Sequence, residues 1–249
     1  MKRFGLAFLL FTTGLRAAPV AVLLAAASDA ELQPLLARLT GARTEKRAAW
    51  QFWIGTLDGR PVVLTRTEGD PLNAVAATTL AVRRYAPKLV VTFGVARAHD
   101  PALRPGDVVV SGSFAAFDGM VSPPLEPGAG SNALGWFKLE HLLMTAGEGE
   151  TRLELFPADR PALAVAQKLT GGRGRLFTGV LGSAHQANRE ADRIAWLHAQ
   201  WGTSTEDGES AHVAGCALLL GVPVIGLRVV DGTEGEAAGL ALKFMEALK

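Results

Sequence analysis

Three charged residues in the C-terminal part of the chain stand in segments whose other residues are small or apolar. Glu209 begins a predicted helix that ends at Leu220, where a carboxylate either interacts with the helix dipole or accepts hydrogen bonds from ligand hydroxyls. Arg228 lies within the apolar run 222–230, and Asp231 follows that run. Because an unpaired buried guanidinium is costly, Arg228 needs either a carboxylate in a structural pair or a ligand.

The elements that must position these side chains alternate along the chain between apolar runs and amphipathic stretches. Continuous apolar runs predict buried strands, and a 3.6-residue period predicts helices. This alternation is typical of a single α/β domain with a mixed, mostly parallel central sheet flanked by helices. The predicted strands are 20–24, 50–57, 61–65, 88–93, 107–111, 176–181 and 222–230, and the predicted helices are 30–39, 71–85, 162–169, 189–200, 209–220 and 234–248.

The predicted sheet also indicates where a ligand would bind. In parallel sheets, ligands bind beyond the carboxyl ends of the strands. We therefore expect the segments 25–31, 94–97, 182–186 and 228–232 to converge on one site. The Gly- and Pro-rich stretch 119–135 is expected to be a surface loop rather than a domain linker.

The composition excludes several classes of function. Hydrophobic residues make up 49% of the chain and charged residues 20%, which excludes a disordered protein. The formal charge is +1 without a long Lys/Arg run, so no nucleic-acid partner is expected. The single cysteine, Cys216, excludes an internal disulfide and a C-x-x-C redox site. The five histidines lack metal-site spacing and no G-x-S-x-G is present, so neither a metal or cofactor nor a serine-hydrolase mechanism is expected.

The first residues have the layout of a secretory signal peptide. A cationic start is followed by the apolar run 4–15 and by small residues, which predicts a signal peptide over 1–17 and a mature domain over 18–249. The alternative is a buried N-terminal helix. The run is too short for a permanent membrane span, so we expect a periplasmic or secreted protein without a stable membrane anchor.

Several short motifs follow one another in a characteristic order along the chain. They are the segments 69–77, 87–94, 103–110 and 177–183, then Glu209-x-x-x-Val213-Ala-x-Cys216, Gly221-Val-Pro223 and Arg228. This set resembles the nucleoside phosphorylase/nucleosidase superfamily, and within it the methylthioadenosine/S-adenosylhomocysteine nucleosidases. The resemblance implies the α/β fold of that superfamily, cleavage of an N-ribosyl bond in a small-molecule nucleoside, no cofactor, and a homodimer.

The resemblance also implies roles for individual residues. Glu31 matches the glutamate that holds the attacking water in the nucleosidases, and Glu209 matches the glutamate that accepts hydrogen bonds from the ribose hydroxyls. Arg228 matches the arginine near the ribose and the water. Gly94 matches a glycine that lets the backbone approach the sugar closely. Ser183 ends a segment that is similar to the strand before the base-binding loop.

The chain departs from the family pattern around the expected base pocket. Val95 stands where the family has a serine, and Gly208 replaces the methionine before the ribose glutamate. The family's acid, which protonates the departing base, lies four residues beyond the arginine, whereas Asp231 here lies three residues beyond it. Either Asp231 takes this role with a one-residue shift, or the general acid is absent. The segment 185–188 also replaces the usual aromatic lid, so the identity of the base does not carry over.

These features predict a nucleosidase that cleaves a purine-type nucleoside, with water held by Glu31 and ribose held by Glu209. Departure of the base builds positive charge on the ribose, which a carboxylate-bound water captures from the opposite face. The segment 25–31 contains no cationic group for phosphate. Two alternatives remain open: an exported protein that binds nucleosides without turnover, and a phosphate-dependent nucleoside phosphorylase.

Overall fold

The computed structural model describes residues 20–145, 149–170 and 172–248, so the predicted signal peptide lies outside the described residues. The strands are β1 (Val22–Ala26), β2 (Thr40–Arg47), β3 (Trp50–Leu57), β4 (Arg60–Arg66), β5 (Leu89–Ala98), β6 (Val108–Ala116), β7 (Met120–Val121), β8 (Phe137–Lys138), β9 (His141–Thr145), β10 (Gly149–Leu153), β11 (Phe156–Pro157), β12 (Leu176–Ser183), β13 (Thr203–Asp207) and β14 (Val224–Val230). The helices are α1 (Asp29–Leu36), α2 (Pro71–Tyr85), α3 (Arg160–Ala166), α4 (Ala191–Trp201), α5 (Ser210–Leu219) and α6 (Glu234–Ala247).

The main sheet contains ten of these strands and mixes parallel with antiparallel pairs. Its order is β11-β6-β12-β13-β5-β1-β4-β3-β2, and β14 pairs with both β5 and β6. Five strands, β5, β14, β6, β12 and β13, therefore close into a ring. Within it β12 pairs in parallel with β6 and β13, and β14 with β5, whereas β13–β5 and β14–β6 are antiparallel. This confirms the predicted single α/β domain with a mixed sheet flanked by helices.

The apolar core follows the strands whose sequences contain continuous apolar runs. Strands β1 and β14 are buried at every residue. The hairpin β3–β4 and helix α2 closely match the predicted bounds, since Asp58-Gly59 forms the turn and Asp70 caps the helix. Within the described ranges, no helix is long and apolar enough to cross a membrane.

Strands β5, β2 and β13 differ from the sequence-based expectations. Strand β5 continues past Gly94 to Ala98, because its last residues pair with β14 and β13. Strand β2 is exposed, and β13 has the polar sequence Thr-Ser-Thr-Glu-Asp, so neither contains the apolar run that predicts a buried strand. The stretch 119–135 is largely irregular and exposed, as expected, apart from β7 and a short 3-10 turn.

Candidate active site

A cavity of about 440 Å³ opens at the carboxyl ends of β1, β5 and β14 and at the end of β13. Parallel pairing of β1 and β14 with β5 brings these ends together. Of the predicted site residues, the structure places seven in the cavity wall: Glu31, Gly94, Val95, Gly208, Glu209, Arg228 and Asp231. The residues that sequence motifs single out in separate segments therefore share one cavity.

Glu31 is held by the first turn of α1. Ser28 caps this helix: its hydroxyl accepts a hydrogen bond from the Glu31 N–H at 3.3 Å, and Glu31 Oε2 accepts from the Ser28 N–H at 3.2 Å. The Ala27 N–H also donates to Oε2 at 2.8 Å, and the Val95 N–H donates to Oε1 at 3.1 Å. An ionised carboxylate has about four acceptor positions, so Oε1 retains one for a water or ligand.

Gly94 leaves the space that the Glu31 carboxylate occupies. A Cβ atom at position 94 would stand 2.6 Å from Glu31 Oε1, which is closer than non-bonded atoms approach. Any larger residue would therefore displace the carboxylate from the Val95 N–H. The close approach that Gly94 allows in the structure is to the Glu31 side chain, and its approach to a sugar stays a prediction.

The buried ion pair between Asp207 and Arg228 organises the back of the cavity. Arg228 Nε donates to Asp207 Oδ2 at 2.9 Å, and the two side chains are 1% and 7% exposed. Asp207 also accepts hydrogen bonds from the hydroxyls of Ser183 and Ser210 and from the N–H groups of Glu209 and Ser210, at 2.6–2.8 Å. Although burial opposes ionisation, the Arg228 charge and these hydrogen bonds lower the pKa of Asp207 below its usual value.

Each of the three side-chain nitrogen atoms of Arg228 thus has a hydrogen-bond partner within the protein. Besides Nε, Nη2 donates to the Thr92 hydroxyl at 3.0 Å and Nη1 donates to the Leu227 carbonyl at 3.1 Å. Of the two possibilities open from the sequence, the structure supplies the carboxylate partner, Asp207. The sequence analysis missed Asp207 because it lies on the polar strand β13.

Glu209 lies in the cavity wall and does not cap α5 with its side chain. It is 2% exposed and makes no side-chain hydrogen bond with the helix. The Thr67 hydroxyl donates to Oε2, whereas Oε1 is buried without a hydrogen-bond partner among the described residues and lies 4.0 Å from Arg228 Nη2. Burial raises the pKa of Glu209 to about 7, against the lowering effects of Arg228 and Thr67. Such a group is a candidate ligand contact, because unsatisfied buried acceptors are costly.

Gly208 is required by close packing of two backbone segments. A Cβ atom at position 208 would stand 2.2 Å from the carbonyl oxygen of Gly69. The family pattern has a methionine at position 208, which cannot fit here unless the turn at Gly69 moves. The wall beside Glu209 is therefore formed by backbone rather than by a long apolar side chain.

Asp231 ends β14 in the left-handed backbone region, with a φ of 41°. Its N–H donates to the Ala96 carbonyl at 2.9 Å, and its side chain is exposed at the cavity mouth. A Cβ atom at the next residue, Gly232, would stand 2.4 Å from Val229 Cγ1. An acid at position 232 would consequently require repacking, which leaves Asp231 as the acidic residue of this turn.

Ser183 does not reach the cavity wall, in contrast to its predicted role in substrate binding. It is fully buried, and its hydroxyl donates to Asp207 and accepts from the Ala211 N–H at 3.0 Å. The segment 182–186 likewise stays apart from the cavity. The physical reason is β13, which was not predicted: it inserts between β12 and β5, so its own C-terminal end forms this part of the wall.

No candidate metal site is found among the described residues. Across residues 20–145, 149–170 and 172–248, no three or more His, Cys, Asp or Glu side chains are grouped so that they could hold a metal ion. The described cavity wall instead contains five acidic residues, Glu31, Glu206, Asp207, Glu209 and Asp231, and two basic residues, Arg97 and Arg228.

Comparison with known proteins identifies relatives at the level of family and fold. The profile of the phosphorylase superfamily matches residues 19–248. The 5′-methylthioadenosine/S-adenosylhomocysteine nucleosidase of Marinomonas sp. (strain MWYL1) is 35% identical over 85 residues, which cover 34% of this chain and 37% of the relative. The matched stretch therefore spans little more than a third of the length of this curated relative.

Two solved structures have the same fold. The 5′-methylthioadenosine/S-adenosylhomocysteine nucleosidase from Colwellia psychrerythraea 34H, in complex with adenine, has a TM-score of 0.73 and 20% identity, covering 93% of this chain and 96% of that one. The corresponding nucleosidase from S. pneumoniae, with a transition-state inhibitor, has a TM-score of 0.74 and 18% identity, covering 92% and 100%. These two structures confirm the fold drawn from the sequence motifs, and the superfamily profile confirms the resemblance.

Replacement of Asp207 by Asn is expected to destabilise the protein by about 3–5 kcal/mol, because it leaves the buried Arg228 guanidinium without its charge partner. Urea unfolding followed by circular dichroism measures this change. The matched control is Glu154→Gln, which breaks the exposed 2.7 Å pair with Lys138 and is expected to cost less than about 1 kcal/mol. Equal effects of the two substitutions would contradict a structural role for the buried pair.

Proposed function

The chain belongs to the phosphorylase superfamily, and we propose that it is an N-ribosyl hydrolase that cleaves the glycosidic bond of a purine-type nucleoside. The observation that carries the proposal is Glu209, which lies in the cavity wall and whose buried Oε1 has no hydrogen-bond partner among the described residues. The nucleosidases that resemble this chain support the choice of reaction.

Glu209 is proposed to bind the ribose. A carboxylate oxygen that is buried without a partner gains most from a ligand hydroxyl, since the hydrogen bond then replaces a desolvation cost. Arg228 Nη2, at 4.0 Å, keeps positive charge beside this oxygen. The backbone wall at Gly208 and Gly69 leaves room for the sugar to approach.

Glu31 is proposed to hold and deprotonate the attacking water. Its three backbone hydrogen bonds fix the carboxylate, and the acceptor position left on Oε1 is available for the water. As the C1′–N bond breaks, its electron pair passes to the base nitrogen, and the water oxygen bonds to C1′. The water proton passes to Glu31, in the role of a general base.

Asp231 is proposed to protonate the departing base. It lies in the same cavity wall as Glu31 and Glu209, and its exposed position gives it access to protons from solvent. The base nitrogen takes the proton of Asp231, so the products are the free sugar and a neutral base. Asp231 then regains a proton, and Glu31 releases one, through solvent.

The charges of the cavity favour water over phosphate as the nucleophile. Phosphorolysis needs cationic groups for the phosphate, but Arg228 is already engaged by Asp207, Thr92 and Leu227. The other basic residue of the described wall, Arg97, is exposed. Acidic residues around the cavity would also stabilise the positive charge that develops on the ribose, as electrostatic preorganisation requires.

Export is part of the proposal and is supported by the sequence pattern of residues 1–17. We propose that this segment directs the protein to the periplasm or the medium and is cleaved there. Mass spectrometry of the N-terminus of the exported protein tests cleavage after residue 17. A full-length chain retained in the cytoplasm would contradict export.

Replacement of Glu31 by Gln is expected to lower kcat by about 10²- to 10⁴-fold, because the amide cannot take the water proton while glutamine at this position still completes the helix cap. Gly94→Ala is expected to lower kcat as well, since its Cβ displaces the same carboxylate. Base release is measured by chromatography from purine and pyrimidine nucleosides, with and without phosphate. Glu154→Gln, on an exposed surface, is the matched carboxylate control.

The outcomes of this assay separate the candidate functions. Release that does not depend on phosphate and is lost in Glu31→Gln supports the hydrolase. Release that requires phosphate would identify a phosphorylase. No release, together with a nucleoside that raises the melting temperature, would identify a binding protein without turnover.

Nucleoside binding is expected to strengthen as the pH rises through about 7, because Glu209 must lose its proton to accept hydrogen bonds from two ribose hydroxyls.

The contribution of Glu209 to the stability of the folded protein should change with pH in the opposite direction. The pKa of Glu209 is raised in the folded state from 4.5 to about 7, so its contribution is fully present below pH 4.5 and is lost as the pH rises through 7. Calorimetric titration and thermal unfolding across pH 5–9 test both, and Glu209→Gln should flatten both profiles. A pH-independent affinity in the parent protein would contradict this role.

A homodimer is proposed on the basis of an apolar surface on α2. Leu72 and Val75, three residues apart on one helix face, are 81% and 39% exposed. Light scattering is expected to give twice the mass of the chain, and Leu72→Glu should shift the population toward the monomer. A monomeric parent protein at micromolar concentration would contradict the proposal.

A further inference from the structure

Glu206 is a cavity residue that neither the sequence motifs nor the proposed catalytic steps use. It lies on β13, and its side chain is 5% exposed in the wall of the same cavity. Its Oε1 accepts a hydrogen bond from the Asn188 N–H at 2.9 Å. Its Oε2 accepts from Asn188 Nδ2 at 2.7 Å and contacts His99 Nε2 at 2.9 Å. A buried carboxylate is thus fixed at the cavity by two partners.

The histidine behind Glu206 keeps it ionised. His99 is 1% exposed, and its Nδ1 lies 2.8 Å from the Thr203 hydroxyl. Burial opposes ionisation of Glu206, but the hydrogen bonds from His99 and Asn188 lower its pKa below the usual value. An ionised carboxylate only accepts hydrogen bonds, so the His99 Nε2–H donates to it.

One acceptor position of Glu206 is left for a ligand. Three of the roughly four acceptor positions of the carboxylate are occupied, two on Oε2 and one on Oε1. Glu206 is three residues before Glu209, and both residues line the same cavity. The cavity wall therefore contains a second fixed acceptor besides the one assigned to the ribose.

On the premise of the proposed nucleosidase function, we propose that Glu206 selects the base by accepting a hydrogen bond from an amino group of the base. The substrate class is then a nucleoside whose base carries an exocyclic amino group. Glu206 acts here in specificity, and His99 and Asn188 position it. A base without that amino group leaves the buried carboxylate without a hydrogen-bond donor. Sites built around such a hydrogen bond discriminate strongly against substrates that lack the donor.

A purely structural role for Glu206 makes a different prediction. The carboxylate also holds Asn188, which belongs to the irregular segment before α4. If Glu206 only held Asn188 in place, a substitution of Glu206 would lower kcat/KM equally for all nucleosides. Selection of an amino group changes the ratio between two nucleosides that differ in that group alone.

The test compares kcat/KM for two matched pairs: adenosine with purine riboside, and guanosine with inosine. In the parent protein, the amino-bearing member of at least one pair is expected to be favoured by about 10²-fold or more. Glu206→Gln should reduce this ratio at least tenfold. With its amide oxygen kept toward His99 and Asn188 Nδ2, the amide NH₂ replaces Oε1, so both the acceptor for the base and the hydrogen bond from the Asn188 N–H are lost. Asn188→Ala, which removes the side-chain attachment and keeps the carboxylate, should retain the ratio.

A second measurement makes the inference independent of turnover. The melting temperature is recorded with free adenine and with free purine, which differ in the amino group, for the parent protein and for Glu206→Gln. Stronger stabilisation by adenine that disappears in the variant supports the inference even if no nucleoside is cleaved, an outcome in which the hydrolase proposal alone fails. Two results would overturn the inference and leave the hydrolase proposal standing. One is cleavage in which neither nucleoside pair shows a preference, and the other is an equal loss of kcat/KM for both members of a pair in Glu206→Gln.

Discussion

The ion pair between Asp207 and Arg228 is the interaction on which the arrangement of the cavity depends. It joins the end of β13 to the middle of β14, two strands that lie on opposite sides of β5. The N–H groups of Glu209 and Ser210 donate to Asp207, so the same carboxylate fixes the start of α5. A charge pair at this depth is tolerable only because nearly every polar atom in it has a partner.

Close backbone approach is the second constraint on the cavity. Gly94 admits the Glu31 carboxylate, and Gly208 admits the Gly69 carbonyl. Each glycine brings a polar group to a position that a side chain would otherwise fill. Burial is the largest cause of the raised pKa of Glu209, and the negative charges of Asp207 and Glu31 raise it further. The site thereby concentrates acceptors around a small volume, which suits a hydroxyl-bearing ligand that becomes cationic during reaction.

The sequence predicted most of the fold because its strands and helices have distinct apolar periods. Strand β14, helix α2 and the β3–β4 hairpin follow directly from those patterns and from their turn residues. Strand β13 was missed, since its sequence Thr-Ser-Thr-Glu-Asp contains no apolar run. Because β13 was not predicted, the sequence also did not indicate its two cavity carboxylates, Asp207 and Glu206, or the position of Ser183 outside the cavity wall.

The sequence by itself determined the superfamily, the α/β architecture and seven of the residues in the cavity wall, because these depend on local patterns and on motif order. The tertiary structure decided how their charges are used. It paired Arg228 with Asp207, left one oxygen of Glu209 without a hydrogen-bond partner among the described residues, and placed Glu206 in the same cavity wall. These features depend on which strand ends meet across the sheet, and such long-range neighbours have no signature in the spacing of residues along a single chain.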